Sequence, residues 1–202
     1  MDYSYLFQYL DVPDDAKYIV EPFCGEGKAL KTLSPCIPHT VECYDINPKF
    51  GWTKNQDTLL FPPVYENKFI LTHVPSKEIN EIDDGPLFDT YLVSHKYKCF
   101  IKNLLVNICD GGIIALPAMF WTSMTPTDIK LRQEFQNIYQ ITHLNIFNDV
   151  KDKNLQTNMC TFQFERKNNS KDKNKHVPVI IFPRPNRATF QDHVKRITKD
   201  TE

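Results

Sequence analysis

The sequence predicts an α/β fold in which a mostly parallel β-sheet is closed by an antiparallel hairpin. Three observations lead to this class. An apolar run at residues 17–20 passes through a glycine turn into a helical segment at 28–33, and a second apolar run follows at 40–44. This order of strand, helix and strand is the βαβ unit, whose strands lie parallel in one sheet. Apolar runs at 141–147 and 159–164, separated by a polar turn, predict the hairpin.

The remaining elements follow from local patterns. Residues 2–10 carry aromatic and leucine side chains at helical spacing and predict a helix that covers one face of the sheet. Pro35 and Pro38 predict the turn before the second strand. The later predicted elements are a strand end and turn at 56–63, a strand at 68–73, a surface loop at 77–86, a helix at 92–108, a strand at 113–117, a helix at 127–139, a strand at 177–182 and a helix at 189–197.

The composition indicates one well-packed domain. The chain has 202 residues, of which 41% are hydrophobic, and this is enough to bury a single core. The formal net charge of -1 gives no global basic surface, so any contact with nucleic acid would depend on a local patch. Because the sequence has neither a signal peptide nor a run of about twenty apolar residues, we expect an intracellular protein that does not enter a membrane.

The six cysteines show no C-x-x-C pair and no histidine spacing that is typical of zinc sites. We expect reduced, mostly buried cysteines and no metal. We expect a main domain over residues 1–166, and a basic loop with a carboxyl-terminal extension over 167–202, packed on or beside it. Between Arg166 and His176 this loop collects positive charge without apolar residues to anchor it. A local nucleic-acid patch is the alternative there, but a solvated loop is the favoured interpretation.

The first βαβ unit has the features of a nucleoside site. Gly25 and Gly27 let the backbone bend tightly where the helix begins and approach a ligand there. Asp45 ends the next strand, where a carboxylate can accept hydrogen bonds from ribose hydroxyls. The loop lacks the third glycine of the dinucleotide pattern, and Glu21 at its start would repel phosphates and attract a cation. S-adenosylmethionine is a ligand of this kind.

Several segments beyond this loop occur in the order found in a known family. They are 95–105, 110–117, 144–147 and 160–164. On these segments and the glycine loop, the chain resembles the adenine-N6 DNA methyltransferases of restriction-modification systems and large DNA viruses over residues 17–164. The resemblance implies a Rossmann-like class I S-adenosylmethionine-dependent methyltransferase fold.

The resemblance also implies which residues bind the cofactor. The loop residues would be Glu21, Pro22, Phe23, Cys24, Gly25 and Gly27. Asp45 would bind the ribose, Ile46 would lie against the adenine, and Asp57, followed by Thr58, would hydrogen-bond the adenine amine. A plain turn residue is the alternative for Asp45 and still more for Asp57. Their joint spacing behind an intact glycine loop favours cofactor binding.

The family's catalytic tetrapeptide, Asn or Asp, Pro, Pro, and Tyr or Phe, is altered here. The corresponding positions are His73, Val74, Pro75 and Ser76. In the family, the first side chain and the next backbone carbonyl accept hydrogen bonds from the target amine, and the final aromatic ring stacks on the flipped base. A neutral ring nitrogen of His73 could accept one such bond, and the following carbonyl remains, but Ser76 has no stacking surface.

A second departure concerns the same pocket. Residues 148–156 contain no aromatic side chain, although relatives commonly place one between the last two strands. Phe120 or Trp121 could take over the stacking role, but core packing is the favoured interpretation for both.

Three functions remain open on the sequence. The leading prediction is a methyltransferase of the DNA adenine type, with S-adenosylmethionine as cofactor and DNA as partner. The first alternative is an inactive methyltransferase-like protein that acts as a binding or regulatory subunit. The second is a methyltransferase with a different acceptor, such as RNA or protein. We expect no large target-recognition domain in a chain of this length, so reading of a DNA sequence would need a partner subunit or the basic segment.

Overall fold

The fold is an eight-stranded sheet with helices on both faces. The computed structural model describes residues 2–33, 40–80, 84–167 and 176–183. The strands are β1 Tyr18–Glu21, β2 Thr40–Asp45, β3 Lys54–Asn55, β4 Phe69–His73, β5 Gly111–Pro117, β6 Tyr139–Lys151, β7 Asn158–Arg166 and β8 Val179–Phe182. The helices are α1 Tyr3–Leu6, α2 Lys28–Leu33, α3 Gly85–Tyr91, α4 Lys96–Val106, α5 Met119–Thr122 and α6 Pro126–Ile138.

The strands lie in the order β3-β2-β1-β4-β5-β7-β6-β8. The first five strands of this order are parallel, whereas β7 pairs antiparallel with both β5 and β6. The predicted α/β class, with its closing hairpin, is therefore confirmed. β8 pairs in parallel with β6, so the described part of the 167–202 segment forms an edge of the same sheet.

The core lies on both faces of the sheet. Along the central strands, successive side chains enter opposite clusters, as in Ile70 and Leu71 of β4 and Ile113 and Ile114 of β5. One cluster packs against α4 and α6, and the other packs against α1 and α2. Burial on both faces explains why these strands read as continuous apolar runs. The predicted position of the amino-terminal helix, on one face of the sheet, is confirmed.

Two helix predictions differ from the structure. The helix predicted at 92–108 begins only at Lys96, because Leu92 has a left-handed backbone (φ 52°) and ends another helix, α3, by donating its N–H to the Phe88 carbonyl. α3 occupies part of the segment predicted as a surface loop at 77–86. The amino-terminal helix is one short turn, α1, rather than the predicted 2–10.

The other predicted elements agree with the structure within a few residues. α2 has the predicted bounds, and the strand at 68–73 corresponds to β4. The prolines of the turn after α2 and the helix predicted at 189–197 lie outside the described residues. Within the described ranges, we find no helix with the length and apolar character needed to cross a membrane.

Candidate functional site

The candidate site lies where the order of the sheet changes direction. The chain runs outward from β1 to β2 and β3, then returns to place β4 on the other side of β1. In open α/β sheets, ligands bind beyond the carboxyl ends of the strands at this switch point. Glu21 ends β1 and His73 ends β4, so both predicted residues lie at this position.

The glycine loop after β1 has the predicted tight geometry. Gly25 (φ 51°) and Gly27 (φ 67°) both have a left-handed backbone conformation, which residues other than glycine rarely adopt. The Gly25 N–H donates to Asp45 Oδ2 at 2.7 Å, and the Cys24 N–H donates to the Tyr44 carbonyl at 2.9 Å. The end of β2 therefore fixes the loop in place.

An apolar cavity of ≈ 400 Å³ lies on the β2 side of this loop. The predicted ribose and adenine residues Asp45, Ile46, Asp57 and Thr58 all line it, together with the predicted loop residues Pro22 and Phe23. Asp45 Oδ1 accepts the Asn47 N–H at 2.8 Å, and the buried Thr58 hydroxyl donates to the Pro22 carbonyl at 2.8 Å. Asp57 accepts two backbone N–H groups, from Leu59 and Leu60, as a turn residue does.

A second cavity of ≈ 490 Å³ lies over the carboxyl ends of β1 and β4. Its lining includes the tetrapeptide positions His73, Val74, Pro75 and Ser76 and the loop residues Glu21, Cys24 and Gly25. Phe23 and Pro75 line both cavities, so the two are adjacent. The fold thus brings all the predicted cofactor and tetrapeptide positions to one region, with Gly27 beside them in the loop.

The Glu21 carboxyl is buried, with 1% of its surface exposed. Burial raises the pKa of this carboxyl well above its ordinary value, and the Thr72 hydroxyl, which donates to Oε1 at 2.5 Å, opposes the shift. Burial thus shifts the protonation equilibrium of Glu21 toward the neutral form. This carboxyl lies in the ≈ 490 Å³ cavity, where a positively charged ligand would favour the ionised form.

The His73 ring forms a hydrogen bond with a residue of the amino-terminal helix α1. The Tyr3 hydroxyl lies 2.8 Å from Nδ1, and the two rings meet edge-on with their centroids 5.7 Å apart. Burial lowers the pKa of His73, so the ring is neutral at pH 7. Burial also raises the pKa of Tyr3 to about 12, and its hydroxyl keeps its proton. The pair is thus neutral and hydrogen-bonded.

Ser76 fastens the hairpin loop between β6 and β7 to the tetrapeptide. Its hydroxyl donates to Asp152 Oδ2 at 2.6 Å and accepts from Asn154 Nδ2 at 2.9 Å. Asp152 Oδ1 accepts the Asn154 and Leu155 N–H groups at 2.9 and 2.8 Å. Because these bonds engage the Ser76 hydroxyl, its role here is to hold the loop that forms one wall of the cavity.

The Cys24 thiol interacts with two neighbouring side chains, Cys43 and Thr53. A hydrogen bond from Cys43 lowers the pKa of the Cys24 thiol to about 7, and the Thr53 hydroxyl lies 3.9 Å from its sulfur. The same bond raises the pKa of the Cys43 thiol. The cysteines of the described segments are free and buried, in agreement with the prediction.

The sequence did not indicate Tyr3, Asp152 or Asn154 as site residues. Tyr3 lies in a segment whose pattern gave only helical spacing, and the other two lie in the polar hairpin turn. Phe120 and Trp121 pack against Phe162, with ring centroids 6.0 and 5.2 Å apart, and neither lines the two cavities. In the part of the chain that the structure describes, no group of three or more acidic, histidine or cysteine side chains could hold a metal ion.

Comparisons with known proteins identify the fold. No protein-family model and no curated protein matches the sequence. Solved structures do match. One is described as a class I S-adenosylmethionine-dependent methyltransferase from Listeria monocytogenes, with a TM-score of 0.64, 13% identity, and coverage of 96% of this chain and 67% of that one.

Two further matches come from type I restriction-modification systems. The modification subunit from Vibrio vulnificus has a TM-score of 0.60 and 10% identity over 98% of this chain and 51% of that one. The methyltransferase subunit from Streptococcus thermophilus has a TM-score of 0.56 and 15% identity over 96% and 50%. This chain thus spans about half the length of these two subunits. It has the class I S-adenosylmethionine-dependent methyltransferase fold, and the predicted resemblance is confirmed at the level of the fold.

Proposed function

We propose that this protein is an S-adenosylmethionine-dependent methyltransferase. The observation that carries the proposal is the pair of adjacent cavities at the switch point, one beside the glycine loop and Asp45, the other over residues 73–76. A methyl transfer needs such a pair, because the cofactor and the acceptor must meet at the methyl group.

The lining of the ≈ 400 Å³ cavity fits the adenosine part of the cofactor. Asp45 has two carboxylate oxygens for the ribose hydroxyls, and Ile46, exposed over 59% of its surface, offers an apolar contact for adenine. Asp57 is the proposed partner of the adenine amine, with Thr58 beside it. Glu21 would then face the positively charged methionine part. When bound, the cofactor would supply an electrophilic methyl group on its sulfonium for the acceptor nitrogen.

On the acceptor side, His73 and Val74 would hold the amine. The neutral His73 ring and the Val74 carbonyl can accept the two amine hydrogens and so direct the nitrogen lone pair toward the methyl group. The Val74 side chain is buried, and its N–H donates to the Ala115 carbonyl at 2.9 Å, which fixes the backbone at this position. We therefore propose an exocyclic amine, as in adenine of DNA, as the acceptor.

DNA and a second subunit are the proposed partners. The matched proteins from Vibrio vulnificus and Streptococcus thermophilus are subunits of type I systems, and another match concerns the assembly of such a complex. By analogy, a separate subunit would read the DNA sequence for this chain.

One observation favours an acceptor other than a flipped DNA base. Ser76 takes the place of the stacking aromatic and uses its hydroxyl to hold the hairpin loop. Stacking of a base on an aromatic ring contributes about 1–3 kcal/mol, so its loss at this position would weaken base binding. Methylation of an RNA or protein amine, or a binding role without catalysis, is the second candidate.

The test is calorimetric titration of the purified protein with S-adenosylmethionine. We expect saturable binding to one site, and at least about tenfold weaker binding in Asp45→Ala, because two hydroxyl contacts are lost. Asp14→Ala removes an exposed carboxylate that lines neither cavity and is the matched control. Asp45→Asn retains one side-chain oxygen that can accept the Gly25 N–H. This variant therefore distinguishes a weakened ribose contact from a change in the conformation of the glycine loop. Absence of binding by folded wild-type protein would overturn the proposal.

A further inference from the structure

The amino-terminal segment contributes a residue to the candidate acceptor site. Tyr3 lines the ≈ 490 Å³ cavity together with His73, and its hydroxyl lies 2.8 Å from the His73 Nδ1 atom. Within the described part of the chain, the second ring nitrogen of His73, Nε2, has no protein hydrogen-bond partner. One nitrogen of this ring is therefore occupied by the protein, and the other remains for a ligand.

Buried side chains of the hairpin hold this segment in place. The Thr161 hydroxyl donates to the Leu6 carbonyl at 2.8 Å, and the Asn145 amide donates to the Gln8 carbonyl at 2.9 Å. Both side chains are fully buried in the sheet, so they have no access to water as an alternative partner. The Asp2 side chain also caps α1 by accepting the Ser4 N–H. Tyr3 therefore lies on an anchored element.

A neutral imidazole has one N–H donor and one acceptor nitrogen, and the partner of the first nitrogen decides which role the second takes. If Nδ1 carries the proton and donates it to the Tyr3 oxygen, Nε2 has a free lone pair. If the Tyr3 hydroxyl donates instead, Nε2 carries the proton. Only the first arrangement can accept a hydrogen from an amine.

We propose that Tyr3 is a positioning residue for the acceptor: its hydroxyl oxygen accepts the Nδ1 proton of His73, so that the unprotonated Nε2 atom accepts a hydrogen from a primary amine. The inference rests on the proposed methyltransferase function and narrows the acceptor to groups that bear an N–H. It also assigns Tyr3 and His73 together to a task that a single carboxamide or carboxylate side chain performs in the family tetrapeptide.

The decisive experiment measures the tautomer of His73 in the ligand-free protein at pH 8 by long-range proton–nitrogen NMR of the imidazole rings. His73→Asn identifies the signals. We expect a protonated Nδ1 and an unprotonated Nε2 in the wild type, and loss of this single tautomer in Tyr3→Phe, which keeps the ring and removes the hydroxyl. Tyr5→Phe is the matched control, because Tyr5 lies in the same helix but donates to Asp149.

A protonated Nε2 in the wild type, or an unchanged tautomer in Tyr3→Phe, would overturn the inference. This measurement needs neither cofactor nor acceptor, so its failure is distinct from failure of the proposed function. Where methyl transfer to an amine is observed, Tyr3→Phe should lower kcat about tenfold, the effect of one lost hydrogen bond, with an unchanged Kd for S-adenosylmethionine. A kcat equal to that of Tyr5→Phe would also overturn it.

Discussion

Glu21 is the residue whose charge we expect to change when a ligand binds. Its burial disfavours the ionised form, and the second cause that raises its pKa is the nearby Cys24 thiol. S-adenosylmethionine carries a cationic sulfonium and an ammonium group. A cation beside Glu21 favours the carboxylate, so binding should release a proton from this residue.

The first prediction is therefore proton release on cofactor binding, at most about one proton per site. Titration calorimetry in buffers of different ionisation enthalpy measures it. Glu21→Gln should remove this release, whereas Glu26→Gln, which changes an exposed carboxylate in the same loop, should retain it. The affinity of the wild type for S-adenosylmethionine should also rise with pH, because the free-energy cost of deprotonating Glu21 falls. Equal proton release in Glu21→Gln and the wild type would contradict the prediction.

The lowered pKa of His73 leads to a prediction of how the free energy of unfolding depends on pH. Burial lowers its pKa below the ordinary value of 6.5, and the nearby Asp152 opposes this shift. Above about pH 7 the ring is neutral in both the folded and the unfolded chain and contributes no pH dependence. Below pH 6.5 the unfolded chain binds a proton that the folded chain does not, so the free energy of unfolding should fall on acidification.

Urea unfolding of the wild type and His73→Asn at several pH values tests this expectation. Between the ordinary and the folded pKa, one histidine contributes up to about 1.4 kcal/mol per pH unit. The wild type should thus lose more stability than His73→Asn as the pH falls below 6.5. Parallel curves for the two proteins would show that His73 has an ordinary pKa.

Among the elements, the short helix α1 depends on long-range bonds. Four residues form too short a helix to be stable alone, and its buried Leu6 and the following Phe7 pack on the sheet. The Thr161 hydroxyl gives the Leu6 carbonyl a partner inside this packing. The position of α1, and with it Tyr3, is thus set by β7.

We predict that Thr161→Val lowers the free energy of unfolding by about 1–3 kcal/mol, because the Leu6 carbonyl is left buried without a donor. Thr90→Val is the matched control: Thr90 is exposed on α3 and donates only to the nearby Pro86 carbonyl, so about 0.5 kcal/mol or less is expected. Chemical denaturation of both variants provides the comparison. Equal effects of the two substitutions would show that the Thr161 bond does not stabilise this segment.

The elements also show what the sequence could predict. Local patterns gave α2, β4 and the hairpin, because each depends on glycine, apolar runs or turn residues close in the chain. The same patterns placed the start of α4 too early, since the left-handed backbone of Leu92 is not a preference of leucine. The conformational preferences of residue types therefore do not predict a left-handed leucine.

Contacts between residues far apart in the chain were not predicted, for a different reason. The glycine loop and Asp45 lie within one βαβ unit, so their meeting follows from topology. The Tyr3–His73 contact joins residues 70 positions apart, and the Ser76–Asp152 bond joins residues 76 apart. Both depend on where α1 and the hairpin loop pack, which no local pattern specifies. The surroundings of the glycine loop and Asp45 were thus more predictable than those of residues 73–76.

At the scale of the whole molecule, the central strands connect both core clusters to the site. β4 lies between β1 and β5, and its carboxyl end carries the tetrapeptide. β5 in turn pairs with β7, which anchors α1. A change in the spacing of β4, β5 and β7 should therefore affect the stability of the whole domain.

Gly112 of β5 is a position where this spacing is tight on both sides. A Cβ atom there would lie 2.7 Å from the Ile70 carbonyl oxygen of β4 and 2.9 Å from the Phe164 ring of β7. Because a backbone atom blocks one side, a rotamer change alone cannot relieve the contact. Overpacking in a dense core typically costs about 1–3 kcal/mol.

We therefore predict that Gly112→Ala lowers the free energy of unfolding by at least about 1–3 kcal/mol, with one cooperative transition retained because both clusters share the strand. Gly51→Ala is the matched control, since Gly51 is exposed and a Cβ there meets no atom within 4 Å. Its effect should stay within about 1 kcal/mol in either direction. Urea unfolding followed by both tryptophan fluorescence and circular dichroism makes the comparison. If Gly112→Ala were as stable as Gly51→Ala, β4 and β7 could not approach β5 as closely as described, and the positions of His73 and Tyr3 that depend on this packing would need revision.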